Sequence, residues 1–143
     1  MSGYLDIFDV SGGGMRLERV RLETAALNIA NAHTTRGPDG TLFQPLRVVA
    51  RAPAPSFEHA LLEGASLSGA SSYQVEASGV QPRLVYDPGH PHADAQGYVA
   101  MPGVNPLVEM TQIMTAVRAY EANVKAIEAA RAMAQRALDI GSR

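Results

Sequence analysis

All nine prolines of this 143-residue chain lie between Pro38 and Pro106. Proline lacks a backbone donor and its ring clashes with the preceding turn, so it excludes regular helix from the segment it occupies. Residues 1–37 and 107–143 are free to be helical, and the middle largely is not. The partition predicts an N-terminal helix over 1–35, a turn-rich small β region over 36–104, and a C-terminal helix over 105–143. The fold class is α+β, with two long terminal helices pairing as a coiled coil around a small strand and loop region.

The C-terminal segment carries the stronger helical signature. Asn105 suits an N-cap, Pro106 the first helical position and Glu109 the positive end of the dipole, while Gly141 is a plausible stop. Met110, Ile113, Val117, Tyr120, Val124, Ile127, Ala134 and Leu138 fall on alternating three- and four-residue steps, broken only by Arg131. Such steps define a coiled-coil seam. A single helix over 107–140 would extend about 50 Å, too long to bury its stripe inside a domain this small. It requires a partner helix, from the same chain or another.

The N-terminal segment is the natural partner. Phe8, Met15, Leu22 and Ile29 recur every seven residues, with Ala25, Ala26 and Ala32 beside them. This seam is poorer, because Ser11 and Glu18 stand where apolar residues are expected and Gly12-Gly13-Gly14 interrupts it. Each glycine costs a helix interior about 1 kcal/mol against alanine. The N-terminal helix is therefore expected to have a weak point at the glycines and to depend on partners. A phosphate loop is not indicated, since no strand precedes SGGG and no Gly-Lys-Ser/Thr follows it. The glycines read as a hinge or a close-packing site.

Turn signals at Gly37-Pro38-Asp39-Gly40, Asp87-Pro88-Gly89 and Pro102-Gly103 divide the middle. Between them, Arg47–Arg51, Tyr73–Val80, Arg83–Tyr86 and Tyr98–Met101 are candidate strands, and 64–72, small and polar, reads as a flexible loop.

Composition narrows the function classes. The net charge is −2 with no concentrated basic stretch, which argues against nucleic acid. No run of about 18 apolar residues exists to span a membrane. The opening MSGYLDIFDV carries Asp6 and Asp9 and no basic start, so no cleaved secretory signal is expected. Cysteine is absent, which removes disulfides and thiol catalysis.

One stretch invites a catalytic reading. His90, His92 and Asp94 alternate, and on a strand they would share one face like the ligand strip of a metal hydrolase. Pro91 between the histidines and the turn at Asp87-Pro88-Gly89 point instead to an extended loop. His33 and His59 repeat no ligand spacing, and no G-x-S-x-G is present. A small metal-dependent hydrolase using His90, His92 and Asp94 is the alternative to a structural role, and a free-standing coiled-coil adaptor is a third reading. Asn28 and Asn31 share one helical face, as helix-end caps or as paired amides that fix register between helices. Glu121 and Glu128 read as solvated or interhelical charges.

Three stretches together resemble the bacterial flagellar rod and hook family: LNIANAHTTRGPDG (27–40), YDPGHPHADAQGYVAMPGVNP (86–106) and EMTQIMTAVRAYEANV (109–124). The opening YLDIFDVSG is similar as well. The resemblance implies a structural protein without catalysis or cofactor, exported by the flagellar type III apparatus. It implies polymerisation with copies of itself and other rod proteins, contacts to membrane-ring and rod-adaptor proteins, and a place in the periplasmic rod of the basal body. No nucleic acid or small-molecule substrate is implied. Asn28, Ala30, Asn31 and Thr34 match the family's N-terminal motif, and Tyr120, Ala122, Asn123 and Val124 its C-terminal counterpart. Leu27 replaces a usual serine, Gly103 a usual asparagine, and position 92 often holds another residue, which makes the apparent ligand strip incidental. The subunit-interaction residues expected on the combined reading are Phe8, Met15, Leu22, Asn28, Ile29, Asn31, Met110, Ile113, Val117, Tyr120, Asn123, Val124 and Ile127.

Overall fold

The structure, a computed structural model, describes residues 2–36, 40–51 and 72–141. The expected turn at 37–40 and loop at 64–72 fall outside these residues except at their ends, where Gly40 has φ +73° and Ser72 opens a strand instead. His59 also lies outside them. The elements in order are α1 (Ser2–Ala30), β1 (Leu46–Arg51), β2 (Ser72–Ala77), β3 (Arg83–Tyr86), β4 (Tyr98–Met101) and α2 (Pro106–Gly141). No helix among the described residues is long and apolar enough to cross a membrane.

α2 begins as its sequence predicts. The Asn105 Oδ1 accepts from the Leu107 N–H at 3.1 Å and the Asn105 carbonyl from the Glu109 N–H at 3.1 Å, so side chain and backbone both close the first turn. α1 runs unbroken through Gly12-Gly13-Gly14 and ends earlier than expected, at Ala30 rather than beyond Thr34. At that end Ala32 N–H donates to the Ile29 carbonyl and Thr34 N–H to the Asn31 carbonyl, both at 3.1 Å. These i−3 bonds tighten the last turn and stop propagation.

The chain divides into two compact units. One contains residues 2–20 of α1 and 115–141 of α2. Among its described residues Ser11, Leu17, Glu18, Ala116 and Ala130 are buried, most of them small or polar. Gly14 explains how helices meet there. A Cβ on Gly14 would lie 2.9–3.1 Å from the Asn123 side-chain amide, so glycine lets Asn123 sit this close where any other residue would make its amide shift. The SGGG stretch is thus a packing site at Gly14 and not a break in the helix.

The other unit contains 21–36, 40–48 and 75–114. It holds the largest fully buried side chains, Val99, Asn28 and Pro102, together with Ala25, Ala32 and Val104. β3 and β4 pair antiparallel, with Val85 opposite Val99 and Tyr86 opposite Tyr98. Strand alternation puts Val99 inside and leaves Leu84, Tyr86 and Tyr98 outside. Tyr86 and Tyr98 meet edge to face at 5.3 Å, a favoured aromatic geometry.

β1 and β2 form a second two-stranded sheet. Ser78 N–H donates to the Pro45 carbonyl at 2.7 Å, and Arg47 pairs with Glu76 at 2.8 Å. β2 ends at Ala77 and not at Val80, because Gly79 takes φ +71° and turns the chain out of the strand.

Candidate functional site

The HPHAD stretch forms a loop between β3 and β4, in which His90, His92 and Asp94 each take part in hydrogen bonds. The Asp94 Oδ1 accepts from the Gln96 N–H at 2.9 Å and the Tyr98 N–H at 2.8 Å, which caps the turn leading into β4. The His90 Nδ1 accepts from the His92 N–H at 3.0 Å, and the His92 Nδ1 lies 2.9 Å from the Thr35 hydroxyl. The two rings contact edge to face at 5.4 Å. Gly97, at φ +82°, completes the turn; a Cβ there would press on Tyr86 and Pro88 at 3.1–3.2 Å. Among the described residues no three His, Cys, Asp or Glu side chains gather as a metal site. The three residues build a turn, and nothing in their geometry supports a hydrolase. Purified chain incubated with zinc and desalted should carry no stoichiometric metal by elemental analysis. One ion per chain, lost in His90→Ala, would overturn this account of the loop.

The two asparagines of the N-terminal motif do different things. Asn28 is fully buried, and its amide grips the backbone of Leu46 at both ends. Its Nδ2 donates to the Leu46 carbonyl at 2.8 Å, and its Oδ1 accepts from the Leu46 N–H at 2.9 Å. Within the chain Asn28 therefore joins a helix to the start of β1, and does not pair with an amide of the other helix. Asn31 donates to the Leu27 carbonyl at 2.9 Å, four residues back, and acts as a helix-end cap. In the C-terminal motif Asn123 likewise donates to the Ala119 carbonyl at 2.9 Å while it packs over Gly14.

The helix stripes are offset from those the heptads suggested. On α1 Ser11, Leu17, Glu18, Thr24, Ala25 and Asn28 are buried, as is Ala32 just past its end, whereas Phe8, Met15, Leu22 and Ile29 are half-buried. Glu18, though buried, is not without a partner. On α2 the innermost residues are Ala116 and Ala130, with Asn123 midway between them half-buried. Ile113, Val124 and Ile127 are also half-buried. Met110, Val117, Tyr120 and Leu138 are exposed, at 52%, 37%, 39% and 73%. The most buried positions of α2, Ala116 and Ala130, thus lie beside the predicted stripe, which is itself half-buried at Ile113, Val124 and Ile127. Small side chains allow closer helix approach than valine does, which favours Ala116 inside over its neighbour Val117. Sequence reasoning weighted bulk and so missed these alanines; the seven-residue spacing of Ala116, Asn123 and Ala130 was the available signal.

Lys125 and Glu128 pair within the helix at 2.7 Å, and the hydrogen bond and charge of Glu128 hold the ammonium above its ordinary pKa. Both partners are exposed, so the pair adds little stability.

Comparison with known proteins now decides the family. The family described as flagellar basal body rod FlgEFG protein C-terminal matches residues 95–140, which take in β4 and nearly all of α2. The flagellar basal-body rod protein FlgC of Escherichia coli O6:H1 is 38% identical over 137 residues, covering 96% of this chain and 97% of the relative. The FlgC of Bacillus subtilis is 35% identical over 142 residues, covering 93% and 95%, and that of Borreliella burgdorferi 31% over 151 residues, covering 96% and 97%. The chain belongs to the FlgC family of flagellar basal-body rod proteins. Membership makes it a structural rod subunit of the FlgC type and places it in the flagellar basal body. The FlgC assignment rests on nearly the full length of the chain, including the strand region that the family match to 95–140 only touches.

Proposed function

We propose that this rod subunit polymerises through the faces of its terminal helices that its own fold leaves open. The observation that carries the reading is the offset on α2. Alanines occupy the inward face, and Met110, Val117 and Tyr120 remain exposed on a helix of 36 residues. Exposed apolar side chains recurring along one helix are what a neighbouring helix covers in a coiled-coil contact. The half-buried Phe8, Met15, Leu22, Ile29, Ile113, Val124 and Ile127 border the same contacts, with Asn28, Asn31 and Asn123 shaping the backbone beneath them. The neighbours are further copies of this chain and other rod proteins, with membrane-ring and rod-adaptor proteins at the proximal end. The subunit reaches the periplasmic rod through the flagellar export apparatus without a cleaved signal, and uses no cofactor, small-molecule substrate or nucleic acid.

Val117→Asp tests this. In the free subunit the substitution is at an exposed helix position and should shift stability by about half a kcal/mol or less. In an assembled rod it would set a carboxylate in a dry contact, at a cost of several kcal/mol. Cells with Val117→Asp as the only copy should make the protein at normal levels yet lack hooks and filaments by electron microscopy. Normal motility would sink the reading.

A further inference from the structure

We propose that the outward face of the β3–β4 hairpin, formed by Leu84, Tyr86 and Tyr98, receives the start of α2, at Leu107, Met110 and Met114, from a second copy of this chain. The inference rests on the polymerising role above and names one partner surface for it. A face that pairs with itself closes a dimer, whereas a subunit that polymerises needs two different faces that fit each other. All six side chains belong to one compact unit and all are exposed. The hairpin face is fixed in place. Strand alternation sets Leu84, Tyr86 and Tyr98 on the same side. Leu84 and Tyr86 are each 65% exposed, yet the Tyr86 ring is held on two sides. It meets Tyr98 edge to face and lies over Gly97, where a Cβ would be 3.1 Å from it. A large ring that is already immobile in water loses little freedom when a partner covers it, which suits an interface anchor.

The start of α2 carries the matching chemistry. Leu107, Met110 and Met114 follow three- and four-residue steps, so they line one side of the helix. Methionine is unbranched and its sulfur packs favourably against aromatic rings, so the thioethers of Met110 and Met114 suit a surface built on two tyrosines. The same chain thus holds both halves of a contact that can repeat from copy to copy. Each face is small. Three large side chains expose on the order of 300 Å² of apolar surface, well below the roughly 800 Å² per partner of a stable complex. Alone, the contact is too weak to hold free subunits together. It acts only where other contacts already align the copies, as a polymer does.

The chain has no cysteine, so single pairs can be introduced without background. Cells express two differently tagged full-length versions, one with Tyr86→Cys and one with Met114→Cys, and isolated basal bodies are oxidised with copper phenanthroline. A disulfide-linked dimer carrying both tags should form in basal bodies and be lost in the same mixture of dilute purified subunits. Leu84→Cys with Met110→Cys should behave alike, which covers any disturbance of the tyrosine pair by the first substitution. Tyr86→Cys with Met133→Cys, exposed in the last third of α2, should give about tenfold less, because a disulfide forms only between Cα atoms within about 7 Å. Basal bodies that yield no two-tag dimer from either pair would overturn the proposal. Dimers carrying only the hairpin tag would assign this face to pairing with itself and overturn it too. In both cases rods have formed, so the polymerising role stands; normal motility of Val117→Asp removes that role instead.

Discussion

Asn28→Ala should destabilise the subunit by about 3 kcal/mol in urea denaturation, a large effect for one side chain. The size follows from what is left behind. Asn28 is 1% exposed and satisfies both the N–H and the carbonyl of Leu46, at 2.9 and 2.8 Å. Alanine removes both partners at once, leaving two backbone groups unpaired in a poorly hydrated site and a cavity beside them. Asn31→Ala is the appropriate control. Asn31 lies three residues on, and its amide bonds the Leu27 carbonyl of its own helix in an exposed setting. Water replaces that bond, so Asn31→Ala should cost about 1 kcal/mol or less. Equal costs for the two would mean that the Leu46 clamp contributes nothing beyond an ordinary helix-end bond.

Val99→Asp should prevent the β-containing unit from folding. Val99 is 0% exposed on β4, opposite Val85, and a carboxylate at that position would be buried beside an apolar strand partner. The expected cost is several kcal/mol, comparable to the whole stability of a small domain. The neighbouring substitution, Ala100→Asp, places the same carboxylate on the opposite face of the strand, in register with the exposed Leu84. It should change stability by about half a kcal/mol or less. Thermal melts followed by circular dichroism separate the two. If Ala100→Asp proved as damaging as Val99→Asp, the assigned register of β3 and β4 would be wrong.

Much of the architecture was written in local chemistry. Proline exclusion marked off both helices, and Asn105-Pro106 set the start of α2 to the residue. β3 and β4 have the bounds their alternating residues implied, because Asp87-Pro88-Gly89 and Pro102-Gly103 punctuate them. The long motifs at both ends also identified the flagellar rod and hook family, which the full-length relatives narrowed to FlgC.

Which surfaces turn inward was another matter. Heptad spacing specifies that a stripe exists, but neighbouring stripes on one helix differ by a single residue, about 100° of rotation. On α2 the bulkier choice, Val117 and Val124, and the smaller one, Ala116 and Ala130, both satisfy the period. Only a partner helix at a definite distance separates them, and Gly14 against Asn123 sets that distance short. The Asn28 clamp lay beyond the sequence for a related reason. Its partner is the backbone of Leu46, eighteen residues away, and a peptide group offers the same donor and acceptor whatever its side chain. The HPHAD loop shows the reverse case, since a proline and a turn were enough to predict a loop there. The sequence by itself determined where α2, β3 and β4 lie and which family the chain resembles, because caps, prolines and strand alternation act within a few residues. The tertiary structure alone decided which helix face is inside and what Asn28 holds, because close approach and backbone pairing depend on distances between segments far apart in the chain.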